Sequence, residues 1–192
     1  MTATARREQL LRVTIEIVAE EGFQGVSIQS VAQRAGISRP IVYEHFGDLQ
    51  GLLEAALASE MDRAMAQVTA TELGDLAHGD TAEVMLESLR RYLAAVTENP
   101  LTWKLVLMPP EGAPEILRKG IIQGRAAVLR SLTNAVSPGS MPGEASPDPE
   151  MTARILSTIA DEYARLLLTD PARFPADRLL AHARWLLRNL TP

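Results

Sequence analysis

The sequence predicts an all-α fold. Apolar residues recur at helical spacing along nearly the whole chain, and no stretch alternates apolar and polar in the two-residue rhythm of a half-buried strand. Glycine, serine, aspartate and proline fall where helices begin and end.

The first helix carries Leu10, Leu11, Thr14, Ile17 and Val18 on one face and stops at Gly22, a natural C-cap residue. Ser27 is placed to N-cap a short second helix that turns Ile28, Val31, Ala32 and Ala35 inward. Gly36 breaks that helix. Ser38 is placed to cap a third, with Pro40 in its first turn, where a missing N–H costs little. A long helix follows from about Asp48, holding Leu49, Leu52, Leu53, Ala56 and Leu57.

Beyond "TELGDLAHGD", a further helix starts with Asp80 as N-cap and Glu83 as its capping-box partner, and Pro100 closes it. "LTWKLVLM" is a short apolar segment stopped by Pro109 and Pro110, and a long helix runs from Pro114. "SPGSMPGEASPDP" has the composition of a linker. Asp148 and Pro149 open the next helix, and Pro175 precedes the last. No repeat period is present.

Composition narrows the function classes. A chain of 192 residues with 46% hydrophobic content has enough apolar side chains for a real core, which excludes a disordered chain. No apolar run is long enough to span a bilayer, and "MTATARREQL" lacks the apolar core of a secretory signal, so neither membrane insertion nor export is expected. The absence of cysteine excludes disulfide scaffolds and thiolate metal sites and fits the cytoplasm. A net charge of -5 argues against a broadly basic coat for nucleic acid. It leaves room for a local footprint, because groove binding needs only a few well-placed donors.

Such a footprint is visible in "VAQRAGISRPIVYEHF". Two short helices joined by a tight turn around Gly36 make a helix-turn-helix, in which the second helix lies in the major groove and offers its N-terminal residues to base edges. Those residues are Ser38, Arg39, Pro40 and Ile41. Arg39 suits a bidentate contact to guanine and Ile41 a thymine methyl. Tyr43 and His45 lie further along and suit phosphate oxygens, although Tyr43 and Phe46 also fit a core. Ser27, with Gln29 beside it, stands at a helix N-terminus that favours a phosphate.

From Arg7 to Leu53 the chain resembles the N-terminal domain of the tetracycline-repressor (TetR) family of transcriptional regulators. The resemblance rests on Gly22-Phe23, Ser27, Ala32, Ala35-Gly36 and Tyr43-x-His45-Phe46 within "LLRVTIEIVAEEGFQGVSIQSVAQRAGISRPIVYEHF", and covers roughly a quarter of the chain. It implies a DNA-binding helix-turn-helix domain over residues 1–47 and a helical ligand-binding and dimerisation domain over 48–192. Departures are Leu49 where the family often has a phosphate-touching Lys, Ile41 where a small residue is common, and Thr14 where Ala is common. Residues 1–50 hold five basic side chains (Arg6, Arg7, Arg12, Arg34, Arg39) and six acidic ones (Glu8, Glu16, Glu20, Glu21, Glu44, Asp48), so this domain has no net positive charge. Binding would then rest on Arg39 and polar contacts, with Arg6 and Arg7 as an N-terminal arm, and would depend only weakly on salt.

In the remainder, Ile155, Ile159 and Leu166, then Leu179, Ala183, Leu186 and Leu190, recur at helical spacing on the last two helices. Further apolar residues on their other sides make these helices central to the chain or paired with a partner. By the resemblance they form a homodimer interface. Met85, Leu89, Tyr92, Trp103, Leu107 and Met108 are candidate walls of a pocket for a mostly apolar small molecule, though each also fits a core. Asp161, Glu162 and Tyr163 interrupt an apolar helix and offer polar contacts to the same molecule.

Enzyme motifs are missing. His45, His78 and His182 are far apart, with no metal-ligand spacing and no cofactor signature, and neither a phosphate loop nor a nucleophile elbow occurs. "GIIQG", from Gly120 to Gly124, reads as close helix packing rather than a membrane dimer. The expected function is therefore a ligand-responsive regulator, a repressor that binds a palindromic double-stranded DNA operator as a dimer and is released by a small effector. The alternative is a helical dimeric binding module with little DNA affinity.

Overall fold

The structure, a computed structural model, describes residues 2–70, 81–137 and 146–190, the side chains of residues 70, 81 and 190 excepted. Asp80, His78 and most of the Pro/Gly/Ser-rich linker lie outside the described residues. Within them the chain is helical: α1 (Ala3–Glu21), α2 (Ile28–Ala35), α3 (Arg39–Phe46), α4 (Leu49–Ala70), α5 (Thr81–Glu98), α6 (Pro100–Leu107), α7 (Glu115–Ala135), α8 (Pro149–Thr169) and α9 (Ala176–Leu190). No strand occurs among the described residues, and none of their helices is long and apolar enough to cross a membrane.

Two compact units divide the chain: Met1–Ala64 with Leu101–Ile122, and Met65–Pro100 with Gln123–Pro192. This partition by packing differs from a functional division at residue 47. The first unit takes in α6 from Leu101 and the start of α7 together with the helix-turn-helix.

In the first unit, α1 buries Leu10, Leu11, Thr14, Ile17 and Val18, the face its spacing predicts, and Val13 and Ile15 as well. The Thr14 hydroxyl donates to the Leu10 carbonyl at 2.8 Å, so a polar residue sits in the core with its hydrogen bond made. Gly22, at φ 74°, ends the helix, and a single 3₁₀ turn, Phe23–Gly25, follows. That turn is too short to leave a periodic trace in the sequence. Val31 and Val42, both 0% exposed, share a core with Leu52, Ala56 and Leu57 of α4, Leu105 of α6 and Leu117 of α7. Burying each such large aliphatic side chain is worth about 1.5–3 kcal/mol, which makes α6 and α7 partners of the helix-turn-helix.

In the second unit, α5 packs against α8 and α9. Leu93, Val96, Ala153 and Ala164 are fully buried there. Asp148 caps α8 by accepting from the Met151 N–H at 3.0 Å. Glu83 is 3.6 Å from both Arg184 and Arg188 of α9. Pro100 does more than close α5, because it is the first residue of α6, a position proline suits. The Gly120–Gly124 spacing serves helix packing: a Cβ at Gly120 would lie 2.8 Å from the Met61 sulfur, and one at Gly124 would lie 3.4 Å from that of Met65.

Among the described glycines the tightest approach is at Gly51, in the first turn of α4, where an added Cβ would stand 2.3 Å from the Phe46 carbonyl oxygen. Backbone cannot move aside as a flexible side chain can. We expect Gly51→Ala to lower stability by about 1–3 kcal/mol, read as a shift of the denaturant midpoint at unchanged m-value. An unchanged midpoint would mean that the α3–α4 corner yields.

Candidate nucleic-acid interface

The turn that presents α3 is built by hydrogen bonds. Gly36 ends α2 in the left-handed region (φ 67°, ψ 36°), and the Ile37 N–H donates to the Ala32 carbonyl at 3.0 Å, closing the C-terminus of α2. At the other end of α2, Ser27 accepts from the Ser30 N–H at 3.0 Å while the Ser30 hydroxyl accepts from the Ser27 N–H at 2.9 Å. The Ser27 hydroxyl is thus already engaged in a capping box, and Gln29 is exposed next to it.

Val42 is the inward anchor of α3. Phe46, one turn on, is half-buried with the Arg7 guanidinium 5.1 Å over its ring and His45 tilted against it at 6.0 Å. Opposite this anchor, Ser38, Arg39, Pro40 and Tyr43 are exposed, while Ile41 and His45 are half-buried. Tyr43 is 49% exposed, so it belongs to the surface and not to the core. Ser38 occupies the N-cap position but makes no side-chain cap bond, contrary to its expected capping role. Its hydroxyl remains available to an outside acceptor.

The cations of this region are mostly engaged. Arg12 pairs with Glu16 at 3.7 Å, and Arg34 lies within salt-bridge reach of Glu20 and Glu21. Arg6 donates to Gln9 Oε1 at 2.7 Å. Arg6 and Arg7 lie within α1, which starts at Ala3, so they form no extended arm. Residues 3–5 already have helical hydrogen bonds to make, and Thr2 caps them by accepting from the Ala5 N–H at 3.2 Å. Among the described residues Arg39 has no carboxylate, hydrogen-bond or aromatic partner. Leu49 is half-buried against the core, and Asp48 accepts from the Gly51 N–H at 2.7 Å, so the start of α4 carries a carboxylate and no cation. Gln33 and Glu44 are also exposed on α2 and α3. The i, i+4 relation of Gln33 to Gln29 would have marked it in the sequence.

The proposed pocket residues fall in both units. Trp103 and Leu107 are buried and Met108 half-buried in the first. Met85, Leu89 and Tyr92 are half-buried along one side of α5 in the second. Glu162 is exposed and turned to Arg165 at 3.4 Å. The polar focus of the second unit is its neighbour Asp161, which accepts from the Tyr92 hydroxyl at 3.4 Å and lies 3.5 Å from Arg125 and 3.9 Å from Arg165. Burial pushes the Asp161 carboxyl above its ordinary range, against the pull of the two arginines. Burial and then the Asp161 charge push the Tyr92 phenol up as well. Tyr163 is held by a 2.7 Å hydrogen bond between its hydroxyl and His182 Nδ1.

Of the expected interface side chains, Ile155 is 53% exposed, and Ile159, Leu166 and Leu186 are half-buried. Leu179 and Ala183 are 4% and 6% exposed on a helix that packs against α5, so their own chain already covers them. The Leu190 side chain lies outside the described residues. Met151 and Trp185, 54% and 56% exposed, are further outward apolar residues of α8 and α9 that stand outside the expected interface rows.

A helical protein of two compact units, the first carrying a helix-turn-helix with an exposed recognition face, is the class this geometry defines. Residues 10–56 match the family model described as bacterial regulatory proteins, tetR family. The HTH-type transcriptional regulator BetI of Burkholderia thailandensis is 50% identical over 52 residues, 27% of this chain and 27% of that protein. The match thus spans about a quarter of the curated relatives' length. A TetR-like transcriptional regulator from Rhodococcus sp. RHA1 shares the fold at a TM-score of 0.73, with 19% identity over 96% of each chain. FadR from Bacillus subtilis, solved with stearoyl-CoA, does so at 0.67, with 16% identity over 95% of this chain and 97% of that one. Residues 10–56 are thus similar to the N-terminal domain of the tetR family, and the chain has the all-helical fold of solved TetR-family regulators.

The raised Asp161 pKa has a pH consequence. The folded state holds this proton more tightly than the unfolded chain, so stability from this group is greatest at low pH and falls as pH rises from the ordinary aspartate value through the raised one. Asp161→Asn removes that step. We expect the stability difference, wild type minus variant, to decline with rising pH just above pH 4 in denaturant titrations. A difference that rises over the same window would show that the arginines outweigh burial.

Proposed function

We propose that this chain is a transcriptional regulator, a repressor that binds a palindromic operator as a homodimer and is released by a small, mostly apolar effector. The observation that carries the reading is the outward face of α3, where Arg39 and Tyr43 stand one turn apart, exposed, with Val42 anchoring the helix from behind. Arg39 reads a guanine, Ser38 and Tyr43 hold the backbone, and Ile41 meets a thymine methyl. Pro40, His45, Gln29 and the α2 N-terminus at Ser27 complete the footprint. Two such helices about one DNA turn apart read a palindrome. The operator and the setting are cytoplasmic.

Residues 48–192 serve ligand binding and dimerisation in this reading. The apolar side chains of α5, with Tyr92, suit an apolar body, and a fold relative solved with stearoyl-CoA supports that ligand class. The effector acts only through a higher affinity for the arrangement that does not fit DNA. The exposed Met151, Ile155 and Trp185 support a second copy as the partner of α8 and α9. One observation favours the rival reading, a helical binding module with little DNA affinity. Four of the five arginines among residues 2–50 are already engaged within the chain, which leaves little charge for phosphates.

Selection of bound fragments from random duplexes separates the two. An enriched palindrome is expected, with a salt slope of about 4 or less in magnitude, because few phosphates are neutralised. Arg39→Ala should weaken the selected site by about 1–3 kcal/mol and relax one base position while the dimer persists. No enrichment by a folded dimer at low salt favours the rival. Ile155→Glu is expected to raise the dimer dissociation constant at least tenfold in sedimentation equilibrium, since it places a charge in the proposed apolar contact. An unchanged dimer would exclude this face.

A further inference from the structure

The helix α3 has eight residues, about two turns, and Val42 is its one buried side chain. A single anchor fixes how deep a short helix sits, but its tilt depends on what holds its two ends. Here α1 reaches both. At the entry, the Gln9 side-chain amide donates to the carbonyl of Ala35, the last residue of α2 before the Gly36 turn, at 3.3 Å. That carbonyl is one of those a helix C-terminus leaves without an intrahelical partner. Arg6 Nη1 donates to Gln9 Oε1 at 2.7 Å, which turns the amide N–H groups of Gln9 toward Ala35. At the exit, the Arg7 guanidinium lies 5.1 Å over the ring of Phe46, the last residue of α3. His45 is tilted against the same ring at 6.0 Å. Three neighbouring residues of α1 thus meet the α2–α3 pair just before its turn and at its far end. All of them belong to the first unit.

We propose that Arg7 and Gln9 are positioning residues for base readout: they hold the turn before α3 and the end of α3, and so fix the tilt of the recognition helix. The inference rests on the reading of α3 as a recognition helix. A bidentate contact from Arg39 to a base edge is directional, whereas contacts to phosphate carry no sequence information. A loosened tilt therefore costs discrimination between base pairs before it costs general affinity. Neither residue has to touch DNA for this. Arg7 acts through the Phe46 ring and Gln9 through the Ala35 carbonyl, with Arg6 holding the amide in place. The two arginines that the sequence offers as an arm for DNA work inside the protein instead.

The test uses the full-length chain with two duplexes: the selected palindrome, and a copy changed at the most strongly preferred base pair of each half-site. The ratio of the two dissociation constants measures discrimination. Arg7→Gln removes the cation, and Gln9→Met keeps the length of the side chain while removing the donor. Each should lower the ratio about threefold or more, with thermal unfolding showing a folded protein. The salt slope should stay at the wild-type value, since loss of a direct phosphate contact would reduce it by about one per half-site. Phe46→Leu removes the aromatic face and should lower the ratio as Arg7→Gln does. Adding Arg7→Gln to Phe46→Leu should lower it no further, because the cation has lost the group it acts through. An unchanged ratio in either single variant of α1, a reduced slope, or additive losses in the Arg7–Phe46 pair overturns the proposal. Should Phe46→Leu fail to fold, the ratios and slopes of the two α1 variants decide. A wild type that selects no duplex defeats the operator reading and this inference with it, whereas a selective wild type whose α1 variants keep its ratio defeats this inference alone.

Discussion

The left-handed turn at Gly36 is the constraint on which the recognition surface depends. With φ at 67° and the Ile37 N–H returned to the Ala32 carbonyl, α2 stops within one residue and the chain re-enters a helix three residues later. A side chain at Gly36 would meet nothing within 4 Å, so backbone conformation and not space sets the requirement for glycine. The exit angle puts Val42 on the core side of α3 and, by the 3.6-residue period, Arg39 and Tyr43 on the other. The same core then receives Leu52 and Leu57 of α4 and Leu117 of α7. Display of the polar residues and burial of the apolar ones are two results of one turn.

Charge is arranged more selectively than composition suggests. The domain has about as many acids as bases, yet Arg34 is drawn to Glu20 and Glu21, Arg12 to Glu16, and Arg7 to the Phe46 ring. These exposed contacts are individually weak. Together they occupy the cations that a non-specific binder would spend on phosphates, and leave Arg39 standing apart on the recognition helix. In the proposed reading such a surface trades general affinity for discrimination, with the free guanidinium of Arg39 placed for a base edge.

Much of the fold was legible in the sequence because its signals are local. Helix faces follow from spacing, and the breaks at Gly22, Gly36 and Pro149 follow from backbone chemistry, so α1 to α3 and α8 could be read directly. Tertiary choices were less legible. Leu179 and Ala183 have the spacing of an interface, but so does any apolar row, and α5 covers them. Asp161, Glu162 and Tyr163 all looked like polar groups of their helix, with Glu162 as the ligand-binding candidate. One residue of rotation, about 100°, separates Glu162 from Asp161, and the structure exposes the former and half-buries the latter among Tyr92, Arg125 and Arg165. Arg6 and Arg7 looked like a free arm because nothing in "MTATARR" shows that Thr2 caps a helix already begun. The role of the first unit's second segment was hidden altogether, since no local pattern shows that the Thr102 hydroxyl donates to the buried Glu60 carboxylate across 42 positions.

That discontinuity bears on how the chain comes to be folded. Residues 1–64 emerge from the ribosome as a run of helices whose apolar faces have no complete cover, because Leu105 and the fully buried Leu117 belong to the same core but are made later. At synthesis rates of about 5–20 residues per second, Leu117 follows Ala64 by roughly three to ten seconds. During that interval the core shared by α1 to α4 lacks the side chains of Leu105 and Leu117. The unit closes only by pairing residues far apart in sequence, the slower kind of contact to form. Helices α8 and α9 of the second unit are still unmade when the first unit completes, so α3 can be in place before the exposed Met151, Ile155 and Trp185 exist.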